Sequence, residues 1–267
     1  MKELKKPLLA ITSFCILCIF VFPLITSAAS FSWYCKRTKD HTQPPVGGDI
    51  AFINQYGGYS IDKKHGDDNQ DKVVYLTFDA GYENGNVEKI LDALKKEKVT
   101  GAFFVLGNLI EKNTALINRM FDEGHLVCNH TYSHDCMVGK TQSDFVSELE
   151  RLEKTCVEKT GKQLSKYYRP PEGRFDENSL KYAQEMGYKT VFWSFAYADW
   201  DNNKQMSPTV AKKKILDNIH NGAVLLLHPT SATNATIMQD VIIELKAQGY
   251  RFGSLDELCA ESGDNYQ

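Results

Sequence analysis

The 267-residue chain is long enough for one sizeable globular domain behind an apolar N-terminal stretch, because single barrel-type domains commonly reach roughly 200 to 250 residues. Hydrophobic residues make up 42% and charged residues 24%, a balance that excludes a disordered or fibrous protein. The net charge is -3 and the body of the chain has no run of five basic residues, which excludes the electrostatic footprint that nucleic-acid binding requires.

The first 29 residues have the features of an export signal. Lys2, Lys5 and Lys6 precede an apolar run over 7–25, and the small residues at 27–29 suit a cleavage site. The apolar run is also close to the length that spans a bilayer, so an uncleaved membrane anchor stays open beside a cleaved signal peptide. Either form takes the protein out of the cytoplasm, and no other membrane contact is predicted.

The seven cysteines do not predict a disulfide framework. Cys15 and Cys18 lie in the apolar leader, where we give their spacing no redox meaning. The others are widely spaced and odd in number, so at least one is unpaired within the chain. They are Cys35, Cys128, Cys136, Cys156 and Cys259.

Residues 30–72 are rich in turn formers such as Pro44-Pro45 and Gly47-Gly48, and we interpret them as a lead-in segment without a domain of its own. From residue 73 onwards, short apolar runs alternate with helical patterns. This alternation predicts repeated βα units and a parallel sheet over 73–262. Residues 263–267 form a C-terminal tail.

Seven strands are predicted from the apolar runs, at 73–78, 101–105, 125–127, 167–168, 190–193, 223–227 and 251–253. Six helices separate them. One begins at Gln142, with Thr141 as its cap and Asp144 completing a capping box, and another has Pro208 at its first position.

Unusual polar residues follow five of the predicted strands, at the edge where barrel folds place their active sites. The first cluster has Asp79 directly after a buried strand, with Gly81 two residues later. Asp and Gly are also common turn residues, so an exposed structural turn is the alternative for Asp79.

His130 and His134 give the strongest metal signal. They are four residues apart, so a helical turn would place both imidazoles on one face, where they could bind one divalent ion. Such pairs also occur by chance on solvated helices, but the chain contains only seven His, which favours a metal site.

The remaining three clusters are weaker when taken singly. Arg169 precedes two prolines that stiffen its loop and suit it to holding a carboxylate, although a structural turn could have the same sequence. Asp199 and Trp200 combine a carboxylate with a flat ring of the kind found in sugar clefts. For Trp193 we expect ordinary packing in the core instead. His228 ends an apolar strand, where a lone His is usually structural. Because Asp199 could orient the imidazole, His228 is also suited to be a general acid.

In this order the five clusters resemble the motifs of the polysaccharide deacetylase family, also called the NodB-homology family or carbohydrate esterase family four. The resemblance covers about residues 73–260, and the joint occurrence is far more specific than any one motif. The matching residues are Thr77-Phe78-Asp79-x-Gly81, His130-x-x-x-His134, Arg169-Pro170-Pro171-x-Gly173, Asp199-Trp200 and Leu226-x-His228. The resemblance implies an α/β fold, a distorted (β/α) barrel, that hydrolyses N-acetyl groups on sugars with a divalent metal ion, expected to be zinc.

The resemblance also implies a role for each motif residue. His130 and His134 would bind the metal ion, which lowers the pKa of its water to about 7 and polarises the amide carbonyl. Asp79 would be the general base that takes the proton of this water, and Arg169 would steady the carboxylates of the site.

On the leaving-group side, the resemblance makes His228 the general acid, with Asp199 as its partner. The backbone N–H of Glu172 would help to hold the oxyanion. Trp200 and Leu226 would line a pocket for the acetyl methyl group.

Ala80 departs from the family pattern, in which most members have a second Asp at this position as a metal ligand. Its methyl group cannot coordinate, so two protein ligands remain where a catalytic zinc site usually has three. Three outcomes stay open: water fills the gap and the metal binds more weakly, Asp79 is itself a ligand, or another residue such as Glu83 or Cys136 takes the position.

Residues 79–85 and 192–200, with Phe31-Ser32-Trp33 and Pro44-Pro45 of the lead-in, resemble the delta-lactam-biosynthetic branch of the family. Several members of this branch also lack the second Asp. The resemblance implies that the substrate is N-acetylmuramic acid in peptidoglycan whose peptide has been removed, and that the product closes to muramic delta-lactam in the spore cortex. The protein would then act as a monomer on the glycan strand, secreted or membrane-anchored and facing the cell wall, in the forespore envelope of a spore-forming bacterium.

Two kinds of alternative remain. One is a deacetylase that acts on the glucosamine residues of peptidoglycan or on chitin-like oligomers. The other is a glycan-binding module whose catalysis has been lost with the metal-binding Asp. The presence of Asp79, Arg169, Asp199 and His228 argues against the second, because binding alone needs neither an acid nor a base.

Overall fold

The computed structural model describes residues 29–38 and 40–260. The leader predicted over 1–29, apart from Ala29, and the tail predicted over 263–267 lie outside the described residues. Within the described ranges, no helix combines the length and the apolar character needed to cross a membrane.

The described chain alternates strands and helices from residue 72 onwards. In chain order the strands are β1 Phe31–Ser32, β2 Gly58–Tyr59, β3 Lys72–Ala80, β4 Ala102–Val105, β5 Leu126–Asn129, β6 Ser165–Tyr168, β7 Arg174–Phe175, β8 Lys189–Val191, β9 Phe195–Ala196, β10 Ala223–Leu227 and β11 Tyr250–Phe252. The helices are α1 Val87–Glu97, α2 Gly107–Lys112, α3 Thr114–Asp122, α4 Gln142–Thr160, α5 Glu177–Glu185, α6 Pro208–Asn218, α7 Ala232–Ala247 and α8 Leu255–Leu258, with 3-10 helices at Ala51–Tyr56 and Pro171–Gly173. All seven predicted strands are present, with bounds within two residues of the prediction.

Nine strands form one parallel sheet, in the order β2-β8-β6-β5-β4-β3-β10-β9, with β11 paired to the first residues of β3. The sheet curls into a half-barrel with the helices on its outer face, so the predicted distorted (β/α) barrel is confirmed. Because every strand of this sheet runs the same way, the polar residues that follow the strands collect at one rim.

Helices α4 and α6 begin at the residues that the sequence signals predicted, Gln142 and Pro208. The Thr141 hydroxyl oxygen accepts from the Asp144 N–H at 3.2 Å at the start of α4, and Pro208 begins α6. The predicted capping box is incomplete, because the Asp144 carboxylate accepts from the Thr141 hydroxyl group instead of the Thr141 N–H. The β4–β5 connection contains two helices where one was predicted. Asn113 between them has φ -133° and ψ 44°, which interrupts the helical backbone.

The two-residue alternation of the strands separates an outer core from an inner one. The outer row of β3 packs against the helices and consists of Val74, Leu76, Phe78 and Ala80. Its inner row begins with Val73 and Tyr75 in the second core and ends with Thr77 and Asp79. The alternation itself therefore turns Asp79 towards the inside of the half-barrel.

The lead-in segment is packed into the same body. β1 pairs antiparallel with β7, and β2 adds an edge strand to the main sheet beside β8. Trp33, Ile50 and Ile53 are buried in the inner core. Residue 73 thus marks where the βα alternation begins, while the packing extends upstream of it.

Candidate active site

A pocket of about 840 Å³ opens at the rim formed by the carboxyl ends of β3, β5 and β10. This volume lies within the range of pockets that enclose small ligands. Seven of the nine residues predicted for the site line its walls, namely Asp79, His130, His134, Glu172, Trp200, Leu226 and His228. The other two, Arg169 and Asp199, are buried behind the walls and bind Asp79 and His228 respectively.

Arg169 holds the carboxylate of Asp79 from behind. Its Nη1 donates to Asp79 Oδ1 at 2.8 Å, its Nη2 to Thr77 Oγ1 at 2.8 Å, and its Nε to the Val191 carbonyl at 2.9 Å. The guanidinium carbon lies 4.1 Å from the centre of the Phe104 ring. Because the side chain is fully buried and engaged at all three nitrogens, it fixes one geometry for the carboxylate.

The electrostatics keep Asp79 ionised. Burial, the largest single influence, would raise the pKa of Asp79, but the charge of Arg169, the nearby His130 and His228 and the hydrogen bond from Arg169 together outweigh it and hold the pKa below its ordinary value. The carboxylate is therefore in its proton-accepting form near neutral pH.

His130 is neutral and presents a lone pair to the pocket. Its Nδ1 lies 2.8 Å from the Arg169 carbonyl oxygen, which can only accept, so Nδ1 carries the hydrogen. Burial lowers the pKa of His130 to about 4. Its Nε2 then faces Asp79 Oδ2 at 3.5 Å, acceptor against acceptor. Two acceptors in this position are stabilised by a proton or a cation beside both, which is the chemistry of a cation site.

The prediction that His130 and His134 share a helical turn is wrong. Thr131 and His134 have φ of 70° and 64°, in the left-handed region that a right-handed helix does not use. The loop folds through local hydrogen bonds instead: Asn129 Oδ1 accepts from the Thr131 N–H at 2.9 Å, and Thr131 Oγ1 from the His134 N–H at 3.0 Å. The imidazoles still meet, with ring centres 5.0 Å apart.

The donor types at this end of the pocket, two imidazoles and a carboxylate, are those that zinc binds. Within residues 29–38 and 40–260, however, no three His, Cys, Asp or Glu side chains are already arranged around one metal position. Ala80 is fully buried in the outer core and offers no donor. Glu83 and Cys136 do not line the pocket, whereas Asp79 does, and its Oδ2 lies 3.5 Å from His130 Nε2.

A third imidazole of the pocket, that of His228, is held in the charge state opposite to that of His130. Asp199 Oδ1 lies 2.7 Å from His228 Nδ1, and Asp199 Oδ2 accepts from the His228 N–H at 2.8 Å. Asn234 Nδ2 donates to Asp199 Oδ2 at 2.6 Å and to the His228 carbonyl at 3.1 Å. Burial, the largest single influence, would lower the pKa of His228, but the hydrogen bond and charge of Asp199, together with the charge of Asp79, outweigh it and raise the pKa. The ring therefore retains a proton near neutral pH.

The Pro170-Pro171 loop brings a strained turn to the pocket. Glu172 has φ 57°, a conformation that costs a residue other than glycine about 1 to 2 kcal/mol. Gly173 follows at φ 66°, and a Cβ there would lie 2.7 Å from the Trp193 ring. The turn therefore depends on glycine at position 173, because the Trp193 ring packs directly against the Gly173 backbone.

Aromatic and aliphatic side chains complete the walls. Trp200 is 64% exposed and Tyr82 44%, and the Tyr82 hydroxyl accepts a hydrogen bond from Asn202 Nδ2. Leu226 is buried, as is Trp193, which both packs in the inner core, as expected, and lines the pocket. Flat rings beside polar groups are typical of sugar-binding clefts.

Two supporting residues were missed at the sequence level. Thr77 belongs to a motif, but its hydroxyl group, which accepts from Arg169, was given no role. Asn234 has no motif at all. Its only signal is an amide side chain within the first turn of an otherwise apolar buried helix face, and the structure places that amide on Asp199.

These features define an acid–base site on a NodB-type half-barrel, and comparisons with known proteins agree. A family model described as polysaccharide deacetylase matches residues 66–191. The chain is 41% identical over 231 residues to the peptidoglycan-N-acetylmuramic acid deacetylase PdaA of Bacillus subtilis, covering 86% of each chain.

The structure of Bacillus subtilis PdaA, a family 4 carbohydrate esterase, matches with a TM-score of 0.81 and 40% identity over 86% of this chain and 96% of that one. A peptidoglycan-N-acetylglucosamine deacetylase of Bacillus cereus is 33% identical over 193 residues, which cover 71% of this chain and 69% of the relative. The chain belongs to the polysaccharide deacetylase family, carbohydrate esterase family four.

Proposed function

We propose that this protein is a peptidoglycan deacetylase that removes the acetyl group from N-acetylmuramic acid. The 41% identity to a relative named for that substrate supports the choice of sugar. One observation carries the reaction: a carboxylate with a lowered pKa and an imidazole with a raised pKa, each held by a buried partner, line the same pocket. Amide hydrolysis needs both, because water must lose a proton and the leaving nitrogen must gain one.

Asp79 is the proton acceptor and His228 the proton donor. Asp79 takes a proton from water as the water oxygen bonds to the acetyl carbonyl carbon. Because Asp199 holds the Nδ1–H of His228, the proton on Nε2 faces the pocket. It passes to the sugar nitrogen as the C–N bond breaks, which releases acetate and a free amine. Exchange with solvent then restores both groups.

The remaining site residues position the substrate. His130 and His134 would hold a divalent metal ion, for which zinc suits the donors, with a carboxylate or water completing the set. Such an ion, when bound, makes water more acidic and polarises the carbonyl. The backbone N–H of Glu172 would add a donor to the oxyanion, while Leu226 and Trp200 receive the acetyl methyl group.

The biological setting is part of the proposal. The leader over 1–29 would export the chain as a secreted or membrane-anchored monomer that faces the cell wall. On peptide-free strands the new amine lies next to the lactyl carboxyl group, so the product can close to muramic delta-lactam. We therefore propose that the enzyme acts in the forespore envelope of a spore-forming bacterium.

A specific similarity favours a second candidate, deacetylation of glucosamine, because the Bacillus cereus relative named for that sugar is 33% identical. To test the reaction, the purified protein is incubated with peptide-stripped and with peptide-bearing peptidoglycan, with and without a chelator, and acetate is measured. We expect acetate from the stripped strands alone and none with the chelator. No acetate from any strand would refute an enzymatic role and favour a glycan-binding module.

A further inference from the structure

The pocket walls contain no Lys or Arg among the described residues. This matters for a muramic acid substrate, because a peptide-free muramic residue carries a lactyl carboxylate on the carbon next to the acetamide. N-acetylglucosamine has a neutral hydroxyl group at the same carbon. A site that distinguishes the two sugars by charge therefore needs a cation just behind the wall, within reach of the lactyl carboxylate.

Among the residues that the structure describes, two cationic side chains without a catalytic role contact wall residues. Arg174 Nη1 lies 3.8 Å from Glu172 Oε2, and Arg37 Nη2 donates to the Ala196 carbonyl at 3.1 Å. The Glu172 carboxylate offsets the charge of Arg174 and would repel a second carboxylate. In the described part of the chain no carboxylate lies within ion-pair distance of Arg37, so its charge is available to a ligand.

The segment that carries Arg37 is anchored along the pocket wall. The Trp33 N–H donates to the Gly173 carbonyl at 2.8 Å, and Trp33 Nε1 donates to the Trp193 carbonyl at 2.8 Å. Two residues later, the thiol of Cys35 lies against the backbone of Ala196. These contacts fix the lead-in beside the edge strand β9.

Alternation along this segment sets the direction of each side chain. Trp33 is buried and Cys35 half-buried, whereas Tyr34 and Lys36 are exposed. Arg37 is exposed as well, and its guanidinium group contacts the wall at the Ala196 carbonyl. Arg37 is thus held at the rim by the anchored residues before it. A cation that is ordered before the ligand arrives loses less entropy on binding.

We propose that Arg37 binds the lactyl carboxylate of muramic acid and thereby determines which sugar of the strand is deacetylated. The inference rests on the proposed muramic acid function. The planar guanidinium can keep one N–H on the Ala196 carbonyl and still offer a pair of N–H groups to both carboxylate oxygens. The lead-in then supplies specificity to a site whose catalytic residues all come from the barrel.

The test compares Arg37→Gln with the matched control Lys36→Gln, which removes the same charge one residue away. Both variants and the unchanged protein are assayed on peptide-free strands with free lactyl carboxylates and on the same strands after methyl esterification. For Arg37→Gln we expect kcat/KM on free carboxylates to fall roughly tenfold to hundredfold, the range for a hydrogen bond to a charged group. On esterified strands it should stay within about twofold of the unchanged protein.

The comparison separates the inference from the function on which it depends. Equal losses on both strands, or the same loss in Lys36→Gln, would overturn the role of Arg37 while leaving muramic deacetylation intact. If the unchanged protein released acetate from glucosamine alone, both would fail. An Arg37→Lys variant that prefers free carboxylates more strongly than Arg37→Gln does would support recognition of the carboxylate by a positive charge at position 37.

Discussion

Replacing Asp199 by Asn tests how the charge state of His228 is set. The carboxylate accepts from His228 Nδ1, from the His228 N–H and from Asn234 Nδ2, at 2.6 to 2.8 Å. An amide has one acceptor oxygen, so at least one of these donors faces an NH₂ group in the variant. The variant also loses the negative charge that stabilises the protonated ring.

The expected effect on catalysis follows from two losses. Burial lowers the pKa of His228 and Asp199 raises it, so without Asp199 the pKa falls below its ordinary value. The proton donor is then absent at neutral pH, and general acid catalysis contributes about 10²- to 10⁴-fold. We expect kcat to fall at least about 100-fold, with KM little changed. Stability should fall by about 1 to 3 kcal/mol, the cost of unsatisfied buried groups.

The assay is the pH dependence of kcat for acetate release. The protonated ring is the active form, so the rate falls as pH rises through the pKa of His228. In Asp199→Asn this fall should move to lower pH. Asp217→Asn, which alters an exposed helix pair with Lys213, is the matched control and should leave the profile unchanged. An unshifted profile with normal kcat in Asp199→Asn would refute the coupling.

Three further outcomes are expected. Asp79→Asn removes the proton acceptor and should lower acetate release by about 100-fold or more, so near-normal turnover would overturn its role. Gly173→Ala and Gly161→Ala both place a side chain at positive φ, but only Gly173 has a ring 2.7 Å from the new Cβ. In urea unfolding, Gly173→Ala should therefore lower the free energy of unfolding by about 1 to 3 kcal/mol more than Gly161→Ala. Equal losses in the two variants would contradict close packing between residue 173 and Trp193. A chelator should abolish activity and zinc should restore it, measured together with metal content by mass spectrometry; full activity of metal-free protein would contradict the metal role.

Much of the fold follows from local sequence patterns. The apolar runs located all seven predicted strands, and the alternation along β3 directs Asp79 inward as it directs Val73 and Tyr75. The family resemblance added the order of the motifs. It named nine residues, and the structure brings them to one pocket or directly behind it.

Local sequence patterns could not predict the contacts between residues that are distant in the chain. A four-residue spacing suggests a helix, but the left-handed backbone at Thr131 and His134 depends on hydrogen bonds to Asn129 and within the loop. The Asn234 amide reaches Asp199 across 35 positions of chain, and no spacing rule links them. Likewise, nothing in 30–72 indicated that β2 would extend a sheet whose other strands begin at residue 72.

The most direct test of the account is to locate the new amine. Peptide-free strands that alternate the two sugars are treated with the protein, cleaved to disaccharides and analysed by tandem mass spectrometry. We predict that acetate is lost from muramic residues and that delta-lactam appears on them. New glucosamine without lactam would contradict it.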